Sequence, residues 1–164
     1  MSHDTMNELM TNANVQRRLV VHGAIIVLTG LACGLPSVVE AAASSGRMWQ
    51  AAHSALLMLG IWLVATGAVL PLLVLPQREA RALIVSLLLT AYSFAAAVII
   101  QAVTGVRAIS PDVAGVSRIA FVANLLAVLG AFLSASLTLM GALNGLRGAK
   151  HRTSVHGSGS RAAQ

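Results

Sequence analysis

The sequence predicts an all-α integral membrane protein, a bundle of four transmembrane helices, and three observations carry that expectation. Four apolar runs, residues 19–39, 51–75, 82–104 and 119–143, are each more than twenty residues long. About 20 helical residues cross a hydrocarbon core of about 30 Å. Hydrophobic residues make up 57% and charged residues 10% of a chain of 164, with a mean hydropathy of +0.80. That is more apolar surface than one soluble core of this size can hide. The runs are also continuous and rich in Leu and Ala rather than alternating, which argues against a membrane β-barrel.

Taken in order, residues 1–18 are polar and are expected to form a loose cytoplasmic segment ahead of the first span. Arg17 and Arg18, an apolar run and the string 40–44, rich in Ala, also have the outline of a cleavable export signal. The run is long for one, and an antiparallel arrangement needs it as a partner, so it is read as the first helix. Cys33 within it is the single cysteine, which excludes an intrachain disulfide and suits a small apolar residue between helices. The second span carries a stripe of His53, Gly60, Val64, Gly67 and Pro71 at intervals near whole helical turns. On the third, Ser86, Thr90, Phe94, Ala97 and Gln101 share a face. On the fourth, Ala120, Asn124, Ala127, Ala131, Ser134 and Thr138 do so, which suits close helix or subunit packing. The transmembrane domain is thus residues 19–146, and the Gly, Ser and basic residues of 147–164 are expected to form a disordered cytoplasmic tail.

The net charge of +6 invites a nucleic-acid reading, but its distribution argues against one. Arg17, Arg18, Arg78, Arg81, Arg147, Lys150, Arg152 and Arg161 flank one side of the spans, and Arg47, Arg107 and Arg118 the other. Eight against three fits the rule that cytoplasmic loops are basic, with both termini cytoplasmic in a bacterial inner membrane, the arginines and lysines acting as topology signals and lipid-headgroup contacts. His3, His151 and His156 fall in the polar tails without metal-ligand spacing. No glycine-rich phosphate loop, nucleophile elbow or zinc-helix motif occurs.

With this topology, the outer ends of the second, third and fourth spans bring His53, Gln101 and Asn124 to roughly one depth, with His22 about 20 Å or more away at the inner end of the first. Two readings of the stripe below His53 stand open. Its glycines admit another helix at close range, or they present a flat surface to a macrocycle ligated by His53.

The string Trp49-Gln-Ala-Ala-His53-Ser54, followed by Gly60, Val69-Leu70-Pro71 and Ala80-Arg81, resembles the second helix and following loop of the bacterial styrene oxide isomerases. Arg18 with His22-Gly23, and Met140-Gly-Ala-Leu143 at the end of the fourth span, are similar too. The resemblance implies a small four-helix membrane enzyme, a homotrimer holding haem b at subunit interfaces, that isomerises epoxides to carbonyl compounds. It puts the axial iron ligand on His53, with Gly60 among the residues against the cofactor. The iron position left open is expected to act as a Lewis acid on the epoxide oxygen of a small hydrophobic substrate, with ring opening and a 1,2-hydride shift. Where the family has an asparagine and a tyrosine near that position, this chain has Leu59 and Val98. Gln101 and Asn124 are then the candidates to orient a substrate oxygen, while Tyr92, nearly opposite Gln101 around the helix, suits packing or a subunit contact. The alternatives are a non-enzymatic haem protein of the membrane, for electron transfer or sensing, and a haem-free subunit stabilising a partner.

The charge asymmetry yields a direct expectation. Reporter fusions at the C-terminus should read as cytoplasmic and a tag at Ser45 should be reachable from outside; a periplasmic C-terminus would reverse the orientation of every span.

Overall fold

The computed structural model describes residues 3–39, 44–105 and 115–159, and the side chains of 14–39, 46–105 and 115–147. Its elements are α1 (His3–Val39), α2 (Ser44–Val69), a 3-10 turn (Leu70–Leu72), α3 (Gln77–Thr104) and α4 (Val116–Gly159), with no strand among the described residues. The four stretches long and apolar enough to cross a bilayer are Asn14–Val39, Gly46–Leu72, Gln77–Thr104 and Val116–Arg147. The all-α four-helix expectation therefore holds.

The helix ends differ from the sequence reading at three places. Residues 3–18 and 147–159 are helical rather than irregular. Extending an existing helix fixes one residue per new hydrogen bond, so polar residues continue a helix they would not start. Residues 1–2 and 160–164 lie outside the described residues. The second span, expected to reach residue 75, leaves the α-helix at Val69 and closes with the 3-10 turn. Pro71 has no N–H for the carbonyl of Gly67, and its ring crowds that carbonyl. Leu73–Pro76 then form a short link that α4 holds in place: the Val74 N–H donates to the Gly141 carbonyl at 3.1 Å.

The start and stop of α3 follow from local chemistry. Pro76, at φ −57° and ψ 151°, precedes it, and the Ala80 N–H donates to the Pro76 carbonyl at 3.0 Å. Glu79 in the first turn faces the positive end of the helix dipole. At the other end Gly105 takes φ +69°, a left-handed conformation open to glycine, and its N–H closes on the Gln101 carbonyl at 3.0 Å.

The helices associate as two antiparallel hairpins, α1 along α2 and α3 along α4, joined chiefly where α2 meets α3. Lipid tails are as apolar as leucine, so helices in a membrane gain little from burying leucines and much from fitting closely. Small residues provide the fit. A Cβ on Gly23 would lie 2.9 Å from the Gly60 carbonyl oxygen, and one on Gly60 would lie 2.7 Å from that of Gly23. On the second hairpin, a Cβ on Gly130 would lie 3.0 Å from the Ser86 carbonyl oxygen. The core includes Leu19, Ile26, Leu56, Leu63, Leu83 and Leu87, all almost wholly buried. The predicted small-residue face of α4 is the packed one, with Ala120, Ala127 and Ser134 buried. Hydroxyls in the core are satisfied on their own helices, Ser86 to the Leu83 carbonyl and Thr90 to that of Ser86.

The hairpin contact is testable. Gly60→Ala should destabilise the detergent-solubilised protein by about 1–3 kcal/mol, whereas Ala65→Leu, at an exposed position of α2, should stay within about 0.5 kcal/mol. Thermal unfolding of both variants is the measurement, and equal stability would remove the close approach as a stabilising feature.

Candidate functional site

His53 stands on α2, about two and a half turns from its N-terminus, and is half-buried against α1. Its ring lies over Gly34, where a Cβ would be 2.9 Å from Nδ1. Nδ1 is 2.7 Å from the Gly30 carbonyl oxygen. A carbonyl only accepts, so Nδ1 carries the proton and donates. In a neutral imidazole the lone pair is then on Nε2. Among the described residues Nε2 has no hydrogen-bonding partner. This is the arrangement that ligating histidines take, with one nitrogen anchored to a backbone carbonyl or carboxylate and the other free for a metal. Among the described residues no group of three His, Cys, Asp or Glu side chains could hold a bare metal ion.

Gly60 requires a correction. Its stripe was read as open either to a helix or to a flat macrocycle, and α1 fills it. Gly60 meets Gly23 and Val27, and Gly67 meets Leu19. Periodicity identified a face made for close approach, but the occupant is the chain's own first helix, so Gly60 offers no free surface beside His53.

The other candidate residues are spread out. The Gln101 side-chain nitrogen donates to the Ala97 carbonyl of its own helix at 3.3 Å, and Gln101 has a further interaction besides. Asn124 is half-buried on α4, with no hydrogen bond among the described residues. The opposition of Gly130 to Ser86 and Thr90 sets the α3–α4 register. It brings Asn124 level with about residue 94, roughly two turns deeper than Gln101. α4 packs on α3 and the 3-10 turn without extended contact to α2. The hydrogen bonds described for His53 and Gln101 run to Gly30 and Ala97, and not to one another. Leu59 is buried in the core and Val98 packs against it, so an apolar contact stands where the resemblance led to polar side chains.

One polar pair escaped the sequence reading. The Nδ1 of His22 and the Tyr92 hydroxyl are 2.6 Å apart, with ring centroids at 5.7 Å and planes at 89°. It ties α1 to α3, so Tyr92 makes a contact within the chain, one of the two roles, packing or a subunit contact, that its position suits. The two residues stand at different heights above their flanking arginines, which hid the pairing. A helical side chain leans toward its helix N-terminus, so the Tyr92 ring reaches toward the start of α3 and meets His22. An open concavity of about 400 Å³, lined by Asn14, Arg17, Arg18, Val21 and His22, lies beside the same histidine. His53 does not line it.

Comparison with known families returned one assignment, and it covers the site. The family model described as styrene oxide isomerase matches residues 15–143, which spans His22, His53, Gln101 and Asn124. Neither the curated proteins nor the solved structures returned a match. With most of the chain inside the family model and His53 set on α2 with a free ring nitrogen, this four-helix membrane protein belongs to the styrene oxide isomerase family.

Proposed function

We propose that the protein is a membrane-bound isomerase that holds haem b through His53 and converts a small apolar epoxide to a carbonyl compound. The observation that carries the proposal is the anchored Nδ1–H of His53, which leaves Nε2 as an electron-pair donor in a chain of this family. A single imidazole suits a metal group that brings its own equatorial donors, as haem does. His22 is no competing ligand at this site, since it stands near the opposite membrane face and its Nδ1 is engaged by Tyr92.

His53 would hold the haem, which when bound would supply Lewis acidity toward an epoxide oxygen. The reaction is an isomerisation: a C–O bond of the substrate breaks, hydride migrates to the adjacent carbon, and no electron enters or leaves. The protein's part is to seat the ligand, orient the oxygen and exclude water that would trap the substrate cation as a diol. We assign the orienting of the oxygen to Gln101 and Asn124 as the candidates for a hydrogen bond to it. Because α1 covers the Gly60 stripe and Asn124 is on a helix with one extended neighbour, a homo-oligomer, a trimer by resemblance, is the arrangement we propose for the complete site. The bacterial inner membrane with both termini cytoplasmic is the proposed location.

The burial of Leu59 and the packing of Val98 favour a second reading, a non-enzymatic haem protein, because these residues hold no substrate oxygen. The two readings share His53 and part at turnover.

Two experiments decide between them. His53→Ala should abolish the Soret band of the solubilised protein while giving up one hydrogen bond, about 1 kcal/mol of stability. His22→Ala should keep the band, and a normal spectrum in His53→Ala would sink the ligand assignment. Haem-loaded membranes should convert epoxides, faster where ring opening gives a stabilised cation, and the double change Leu59→Asn with Val98→Tyr should raise styrene oxide turnover. No conversion by the native chain or the double variant would leave the non-enzymatic reading.

A further inference from the structure

We infer that Gly30 and Gly34 of α1 are positioning residues for His53, a seat that fixes which ring nitrogen carries the proton and so which one can donate an electron pair. The consequence for a metal group rests on the haem reading above; the seat itself is a property of the protein alone.

The two glycines are one helical turn apart on the same face of α1, and each contributes differently. At Gly30 a Cβ would lie 3.0 Å from the Leu56 Cβ, 3.1 Å from the Leu57 nitrogen and 3.3 Å from the His53 carbonyl oxygen. Glycine there lets the α2 backbone come close enough for the His53 ring to reach the Gly30 carbonyl at 2.7 Å. At Gly34 a Cβ would lie 2.9 Å from Nδ1, 3.2 Å from Cε1 and 3.5 Å from Cγ. The ring thus occupies the space that a side chain at 34 would fill. Within α1 the Gly30 carbonyl also accepts from the Gly34 N–H through the ordinary helical ladder, and its second lone pair is free for the imidazole. An imidazole without such a partner is free to take either neutral tautomer. Here the carbonyl selects Nδ1–H, holds the ring plane, and leaves the lone pair on Nε2, as outer-shell partners of ligating histidines do.

The seat is measurable without any bound group. Nitrogen-15 NMR of the histidine-labelled chain in lipid nanodiscs, with the His53 signals assigned by their loss in His53→Ala, reports the tautomer directly. The expected result is Nδ1–H in the native chain and loss of that preference in Gly34→Ala, with the preference kept in Gly23→Ala, which crowds the same helix pair away from His53. A native His53 protonated on Nε2 overturns the inference, and so does an unchanged tautomer in a folded Gly34→Ala. In haem-loaded protein, Gly34→Ala should lower the iron–histidine stretching frequency of the ferrous form and weaken haem affinity roughly tenfold or more. Gly23→Ala should leave the frequency in place. Nδ1–H in a native chain that takes up no haem would support the seat and refute the haem reading alone.

Discussion

The close approach of α1 and α2 is the constraint on which the rest of the structure depends. In a membrane the two helices cannot be driven together by hiding leucines from water, so they associate where their backbones nearly touch. Gly23 against Gly60 and Leu19 against Gly67 set the register along one half of the hairpin. Gly30 and Gly34 carry that register on to His53. A side chain at Gly30 or Gly34 would enter the space that the His53 backbone and ring occupy, and so would change what the imidazole can reach. The distance between two backbones is thereby the quantity that decides the chemistry of one ring nitrogen.

Much of this was legible in the sequence, for a physical reason. A span must be long and apolar whatever it packs against, so four helices followed from hydropathy alone. His53 stood out because a titratable group within a span is costly and rare. Periodicity showed that Gly60 and Gly67 share a face but carried no information about what covers it, and two occupants remained open until α1 was seen there. Depth counting placed Gln101 and Asn124 in one layer, but it assumes that helices start level, and the register set by Gly130 makes Asn124 the deeper. His22 and Tyr92 were missed because counting follows Cα positions whereas the contact is made by side-chain tips. The polar ends of α1 and α4 read as irregular because hydropathy loses its signal where a helix leaves the membrane.

Membership of the family and the departures from it pull on different parts of the molecule. The family model spans the four-helix scaffold and His53 alike. Leu59 on α2 is part of the apolar core with Leu56, Leu63 and Leu87, and Val98 on α3 packs against that core. Apolar side chains at both positions serve the packing of the helices.

The pairing of the helices into two hairpins also keeps the histidine's anchor local in sequence. Gly30, Gly34 and His53 all lie on α1 and α2, so the contact between them uses no residue of α3 or α4. The His22–Tyr92 bond and the α2–α3 core join the first hairpin to the second, and the Val74–Gly141 bond ties the link to α4. The ring's partner is thus encoded within some two dozen residues of the ring itself, and the second half of the chain supplies its surroundings.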